Sequence, residues 1–133
     1  MSEAASRLAP VRLLCSAAIA ATTLLLAAPA VAQTFMSEDE LLATIPGSTI
    51  DGKTDKGKKW AQAYSAYDGK KKKGAIAVNF DGAASKSKWY VENGQWCENW
   101  GQGQACWQVE RVSAKKLRMY LDGKPRPNLW VLR

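Results

Sequence analysis

Five Asx-Gly dipeptides punctuate the chain beyond residue 50, and their spacing constrains the fold more than any other feature. Asp51-Gly52, Asp68-Gly69, Asp81-Gly82, Asn93-Gly94 and Asp122-Gly123 each suit a two-residue hairpin turn. Such turns need positive φ, which Asn, Asp and Gly tolerate. The segments between them are short and rich in aromatic and β-branched residues, as strands are. Strands are expected near 48–51, 59–66, 74–80, 87–92, 95–100, 105–112, 116–121 and 128–132. Leu117, Met119 and Leu121 alternate with Arg118 and Tyr120, the pattern of a half-buried strand. The expected class is mainly β: an antiparallel meander forming a curved sheet or small barrel.

One short helix precedes the strands. Ser37 can cap it, Glu40 stands three residues on to complete a capping box, and Glu38, Asp39 and Glu40 suit the positive helix end. Leu41, Leu42 and Ile45 form its apolar stripe, and Pro46-Gly47 stops it. It is expected to pack over an end or edge of the strands.

Upstream, Met1 to Ala32 reads as a secretory signal peptide. Arg7 and Arg12 precede an apolar run from Leu13 to Ala28, Pro29 breaks any helix, and Ala30-Val31-Ala32 offers a small-x-small cleavage pattern. The expected mature protein is a single domain over 33–133, periplasmic or secreted. Cys15 leaves with the leader, and Cys97 and Cys106 then meet an oxidising compartment, where they are expected to pair. The leader takes Glu3, Arg7 and Arg12 with it, so 19 basic and 12 acidic residues become 17 and 11, a net charge of +6. That balance favours anionic partners.

A two-residue turn at Gly101-Gln102 would set Cys97 opposite Cys106 and Trp96 opposite Trp107. The cysteines would occupy a non-hydrogen-bonded pair, close enough for a disulfide. Trp96, Trp100, Trp107 and Val109 would share one face, and Gln95, Asn99, Gln104 and Gln108 the disulfide's face.

Several chemistries are excluded. The chain has no histidine, so Ser-His-Asp and Cys-His catalysis and an imidazole metal site are absent. Two thiolates alone make a poor zinc site, and no cofactor is expected. The run from Gly47 to Thr54 matches a phosphate loop letter for letter. That loop needs a buried strand before it and a helix after it, whereas here Asp55-Lys56-Gly57-Lys58-Lys59 follows. No nucleotide is expected. Two Ser-x-x-Lys matches, at 85–88 and 113–116, lack the companion motifs of penicillin-recognising enzymes. Glu92, Glu98 and Glu110 could supply a carboxylate pair for glycoside hydrolysis, but glutamates on small β-domains are ordinarily solvated or salt-bridged.

The candidate binding residues are Lys70, Lys71, Lys72 and Lys73, with Trp100. The lysine run either discourages pairing at a solvated hairpin end or meets an anionic polymer or anionic membrane surface. Lys53, Lys56, Lys58 and Lys59 would strengthen that contact where they converge with it. Of the six tryptophans, most are expected in the core. One or two left beside lysines could stack on sugars or bases.

The segment Trp89-Tyr90-Val91-Glu92-Asn93-Gly94-Gln95-Trp96-Cys97, followed by Cys106-Trp107-Gln108-Val109, resembles small secreted proteobacterial proteins of unknown function. Gly47-Ser48-Thr49 and Pro127-Asn128-Leu129 share in the likeness. The resemblance implies a compact β-rich fold and no particular activity. The expected function is a non-enzymatic binding module for an anionic envelope or extracellular ligand. The alternative is a protein-targeted inhibitor or envelope-stress factor, similar in size and disulfide content to periplasmic lysozyme inhibitors. Its charge would disfavour a basic lysozyme as target. A small carboxylate-dependent hydrolase ranks third.

Overall fold

The computed structural model describes Ala28 and residues 33–133. The expected leader otherwise lies outside the described residues, and Cys15 with it. The helix forms where its caps place it. Strand-free residues up to Ser37 lead into α1 (Glu38–Thr44). Ser37 Oγ accepts the Glu40 backbone N–H, and the Ser37 N–H donates to the Glu40 carboxylate at 2.7 Å. This reciprocal pair satisfies two donors that a helix start otherwise leaves open.

Nine strands follow: β1 (Thr49–Lys53), β2 (Lys59–Tyr64), β3 (Lys73–Phe80), β4 (Ala83–Glu92), β5 (Gln95–Asn99), β6 (Gln104–Ser113), β7 (Lys116–Leu121), β8 (Lys124–Pro125) and β9 (Trp130–Leu132). Each of β1 to β7 pairs antiparallel with the next, and β9 bridges β7 to β1. The result is a closed eight-strand antiparallel barrel, with the two-residue β8 beside β7 at its margin. Closure joins the borders of the sheet through β9, which pairs with both β1 and β7.

Strand alternation sends one set of side chains into the lumen. Tyr64, Ile76, Trp89, Val91, Trp96, Val109, Leu117 and Met119 are buried there. Leu41, Leu42 and Ile45 of the helix segment join the same core. They close the barrel end where Tyr64 and Ile76 lie. At this end Lys72 pairs with Glu38, and Arg111 donates to Thr44 Oγ1 at 2.6 Å. The other end is bordered by the β1–β2, β3–β4 and β5–β6 turns, and among the described residues no helix lies over it.

Three of the five Asx-Gly dipeptides make the expected turns. Asp81-Gly82, Asn93-Gly94 and Asp122-Gly123 each place both residues at positive φ, as a type I′ hairpin requires. Asp68-Gly69 instead sits in the longer β2–β3 connection, where Asp68 Oδ1 accepts the backbone N–H groups of Lys70 and Lys71 at 2.8 and 2.9 Å. Asp51-Gly52 is no turn at all. Both residues lie inside β1, and Gly52 stands opposite Trp60. A Cβ on Gly52 would lie 2.1 Å from Cζ2 of that ring, so the glycine makes room for an indole. Residues 49–53 of the phosphate-loop match are this same strand, where extended backbone forms no cradle.

The β5–β6 hairpin has the expected register, with Trp96 opposite Trp107 and Cys97 opposite Cys106. Trp100 N–H donates to the Gly103 carbonyl at 3.0 Å, closing a two-residue turn. Cys97 and Cys106 are bonded as a disulfide, with Cα atoms 4.0 Å apart. Replacing both cysteines by alanine should lower stability by about 2.7 kcal/mol, the chain-entropy value for a loop of about ten residues. A urea midpoint that does not move would mean the hairpin already holds its register in the unfolded chain.

Candidate functional site

The barrel is filled at its helix end and hollow at the other. Trp89 and Trp96 stack 5.1 Å apart, and Tyr64 meets Trp96 edge-on at 5.4 Å, so rings occupy the closed half. Toward the open end the packing gives way to a cavity of about 900 Å³, a size ordinary for small-molecule sites.

Its wall is aromatic and aliphatic. Trp60, Trp107 and Trp130 line it with Val78, Phe80 and Met119. Trp130 holds the other two indoles edge-on, at 5.2 Å from Trp60 and 5.6 Å from Trp107. At the mouth, Trp100 and Phe80 remain 41% and 39% exposed. Lys53, Lys56 and Lys58 stand on the same rim, and the Lys58 ammonium lies 6.0 Å from the Phe80 ring centre. Arg126 is there too, but it is paired with Asp55 at 2.8 Å. The three lysines pair with no acid among the described residues.

The floor is polar. Glu98 is only 1% exposed and Gln62 only 4%, yet both line the cavity. Glu98 Oε1 lies 2.8 Å from the Tyr64 hydroxyl and 3.2 Å from the Trp96 indole nitrogen, which donates to it. The Tyr64 hydroxyl also contacts Gln62 Oε1. One hydroxyl proton cannot serve two acceptors. With Glu98 ionised, Tyr64 donates to the carboxylate. With Glu98 protonated, the carboxyl donates to the phenol oxygen and the phenol donates to Gln62. Both states are within reach at neutral pH. Burial pushes the Glu98 carboxyl up to about 7, although the Tyr64, Trp96 and Trp100 donors pull it down. Burial and the nearby Glu98 charge hold the Tyr64 hydroxyl well above its ordinary value.

The residues singled out from sequence part company here. Trp100 is at the mouth of the cavity. Lys70, Lys71, Lys72 and Lys73 are in the β2–β3 connection and at the start of β3, at the opposite, helix-covered end. They do not converge with Lys53, Lys56 and Lys58. Of the candidate carboxylates, Glu92 ends β4 in solvent and Glu110 accepts the Tyr120 hydroxyl at 2.8 Å. Glu98 is neither solvated nor salt-bridged, which corrects the expectation for it. The same alternation that turns Trp96 and Trp100 inward carries Glu98 with them. Gln62 was likewise legible, set between Trp60 and Tyr64 on one strand face. The other carboxylate lining the cavity, Asp55, is at the rim in its pair with Arg126.

Among the described residues, no three acids or cysteines gather into a metal-binding group, and no helix is long and apolar enough to cross a membrane. The arrangement can hold a molecule with an apolar body and exchange a proton at Glu98. Compared with known proteins, the chain matches no family model, no curated protein and no solved structure.

Proposed function

We propose that this protein is an exported, non-enzymatic binding protein for a small anionic amphiphile, taken up in the open half of the barrel. The observation that carries this reading is the cavity of about 900 Å³ with indole walls and three unpaired lysines at its mouth. An apolar body displaces water from the tryptophan surfaces, which gains roughly 25 cal/mol per Å² of apolar area removed from water. An acid group left at the mouth meets Lys53, Lys56 and Lys58 without entering the low-dielectric interior. Eight-strand barrels are wide enough to hold one such ligand. The Cys97–Cys106 bond supports export to an oxidising compartment, periplasmic or extracellular.

The anionic preference expected from sequence is kept, but its seat moves from the lysine run to the mouth. Lys72 is already paired with Glu38, and the backbone of Lys70 and Lys71 is tied to Asp68. The test is calorimetric titration with 2-naphthoate and its neutral analogue 2-naphthylmethanol. Changing Lys53, Lys56 and Lys58 together to Gln should weaken the acid about tenfold, since three exposed ion pairs at about 0.5 kcal/mol each sum to about 1.5 kcal/mol. The alcohol should bind both proteins alike. Changing Lys70 to Lys73 to Gln should leave both affinities unchanged. The reverse pattern, loss with the lysine run and none with the mouth, would return the site to the helix-covered end.

A further inference from the structure

Resting on that reading, we infer that the cavity selects a ligand carrying a hydroxyl group at the end remote from its acid, and that Glu98 receives this hydroxyl. The class is a compact, ring-sized hydroxy acid rather than a simple fatty chain.

The floor carries the inference. A carboxylate offers about four acceptor positions. Two donors of the protein bond to Glu98, both at Oε1: the Tyr64 hydroxyl and the Trp96 indole N–H. The positions on the other oxygen remain, and Glu98 lines the cavity. Among the described residues, no lysine or arginine pairs with it. A hydrocarbon end driven against this carboxylate would strip its remaining water and return nothing. A buried acceptor without a donor is costly, so a plain alkyl or aryl terminus is penalised at this spot. A hydroxyl there replaces the water it displaces. Gln62 beside it adds a second group able to turn a carbonyl or an amide toward the newcomer.

Length follows from the strands. Glu98 is one inward step below Trp100, and Gln62 one inward step below Trp60. Two residues of strand rise about 7 Å, so floor and mouth are separated by about the length of a fused bicyclic ring. A rigid acid of that span can meet the lysines and Glu98 at once.

Three matched probes decide it: 6-hydroxy-2-naphthoate, 6-methoxy-2-naphthoate and 2-naphthoate, titrated calorimetrically near pH 8, where Glu98 is ionised and accepts only. The hydroxy acid should bind the native protein about tenfold more tightly than 2-naphthoate, the discrimination expected of a hydrogen bond to a buried charge. The methoxy acid, which offers no proton, should bind worst. Glu98→Gln, which keeps one acceptor oxygen but no charge, should shrink the tenfold preference to about threefold. Glu98→Leu should abolish it while 2-naphthoate still binds, with near-ultraviolet circular dichroism reporting the tryptophan packing of each variant. Equal affinities for the hydroxy acid and 2-naphthoate in the native protein would overturn the inference and leave the amphiphile reading standing. No binding of any of the three would overturn both.

Discussion

Glu98→Gln is expected to remove a fall in stability that the native protein shows as pH rises from about 4.5 to about 7. Those bounds are the ordinary glutamate value and the raised value of the buried carboxyl. Within them the folded chain holds a proton at Glu98 that the unfolded chain has released. Stability changes with pH as protons bound unfolded minus protons bound folded, so the slope is negative here. It amounts to about 1.4 kcal/mol per pH unit, or about 3 kcal/mol across the window. Below the window both states are protonated and the contribution is fully present. Above it both are ionised and the loss is complete. The Gln variant carries no proton to lose. It should match the native protein near pH 5 and exceed it near pH 8 by up to about 3 kcal/mol, less the weaker hydrogen bonds of an amide. The exposed carboxyls of Glu40, Asp51 and Asp68 are all held below their ordinary values, so they titrate on the acid side of this window and in both proteins alike. Urea midpoints of the two proteins at pH 5 and 8 make the comparison. Parallel behaviour would show that Glu98 titrates as a solvated glutamate and that the floor is wet.

Gly74→Ala is the second large effect, a loss of roughly 3 kcal/mol, at the upper end for overpacking a core. Gly74 lies in β3 opposite Trp89. A methyl group there would sit 2.2 Å from Ser65 Oγ and 2.5 Å from the Trp89 indole nitrogen. Neither neighbour yields without cost. Trp89 is fully buried and stacked on Trp96, and its N–H donates to Ser65 Oγ at 3.1 Å. Ser65 Oγ in turn accepts the Ala75 backbone N–H at 2.9 Å. The substitution must therefore push the indole out of its stack or break this bonded chain. Chemical denaturation followed by tryptophan fluorescence gives the magnitude, and an unchanged midpoint would mean the closed half of the barrel is soft enough to repack.

The turn dipeptides and strand alternation made the barrel largely legible in advance, because hairpin register and side-chain direction are local properties. Asp81-Gly82, Asn93-Gly94 and Asp122-Gly123 act through φ, which depends on those residues alone. Asp51-Gly52 misleads because the same dipeptide also serves where a glycine must lie under a ring, and the ring, Trp60, comes from another strand. Curved sheet and closed barrel could not be separated locally. Closure depends on β9 meeting β1 across nearly the whole domain, as Ile50 meets Leu132.

The site was harder to read for a related reason. A run such as Lys70 to Lys73 is conspicuous in one dimension, whereas Lys53, Lys58, Trp107 and Trp130 meet only once the strands are rolled up. Glu98 and Gln62 are the exceptions, since strand alternation alone sets one between Trp96 and Trp100 and the other between Trp60 and Tyr64.

The seam between β9 and its neighbours has a consequence for when the molecule can come into being. Residues 49–53 pair with β2 on one side but must wait for 130–132 on the other, and pairings so distant in sequence form slowly. A nascent chain interrupted anywhere short of Trp130 has an open sheet with two unsatisfied borders. The barrel therefore cannot close until residues 130–132 are free to pair. On the proposal that the chain is exported, that delay keeps it open while it is threaded through a membrane, since it cannot jam the passage by closing too soon.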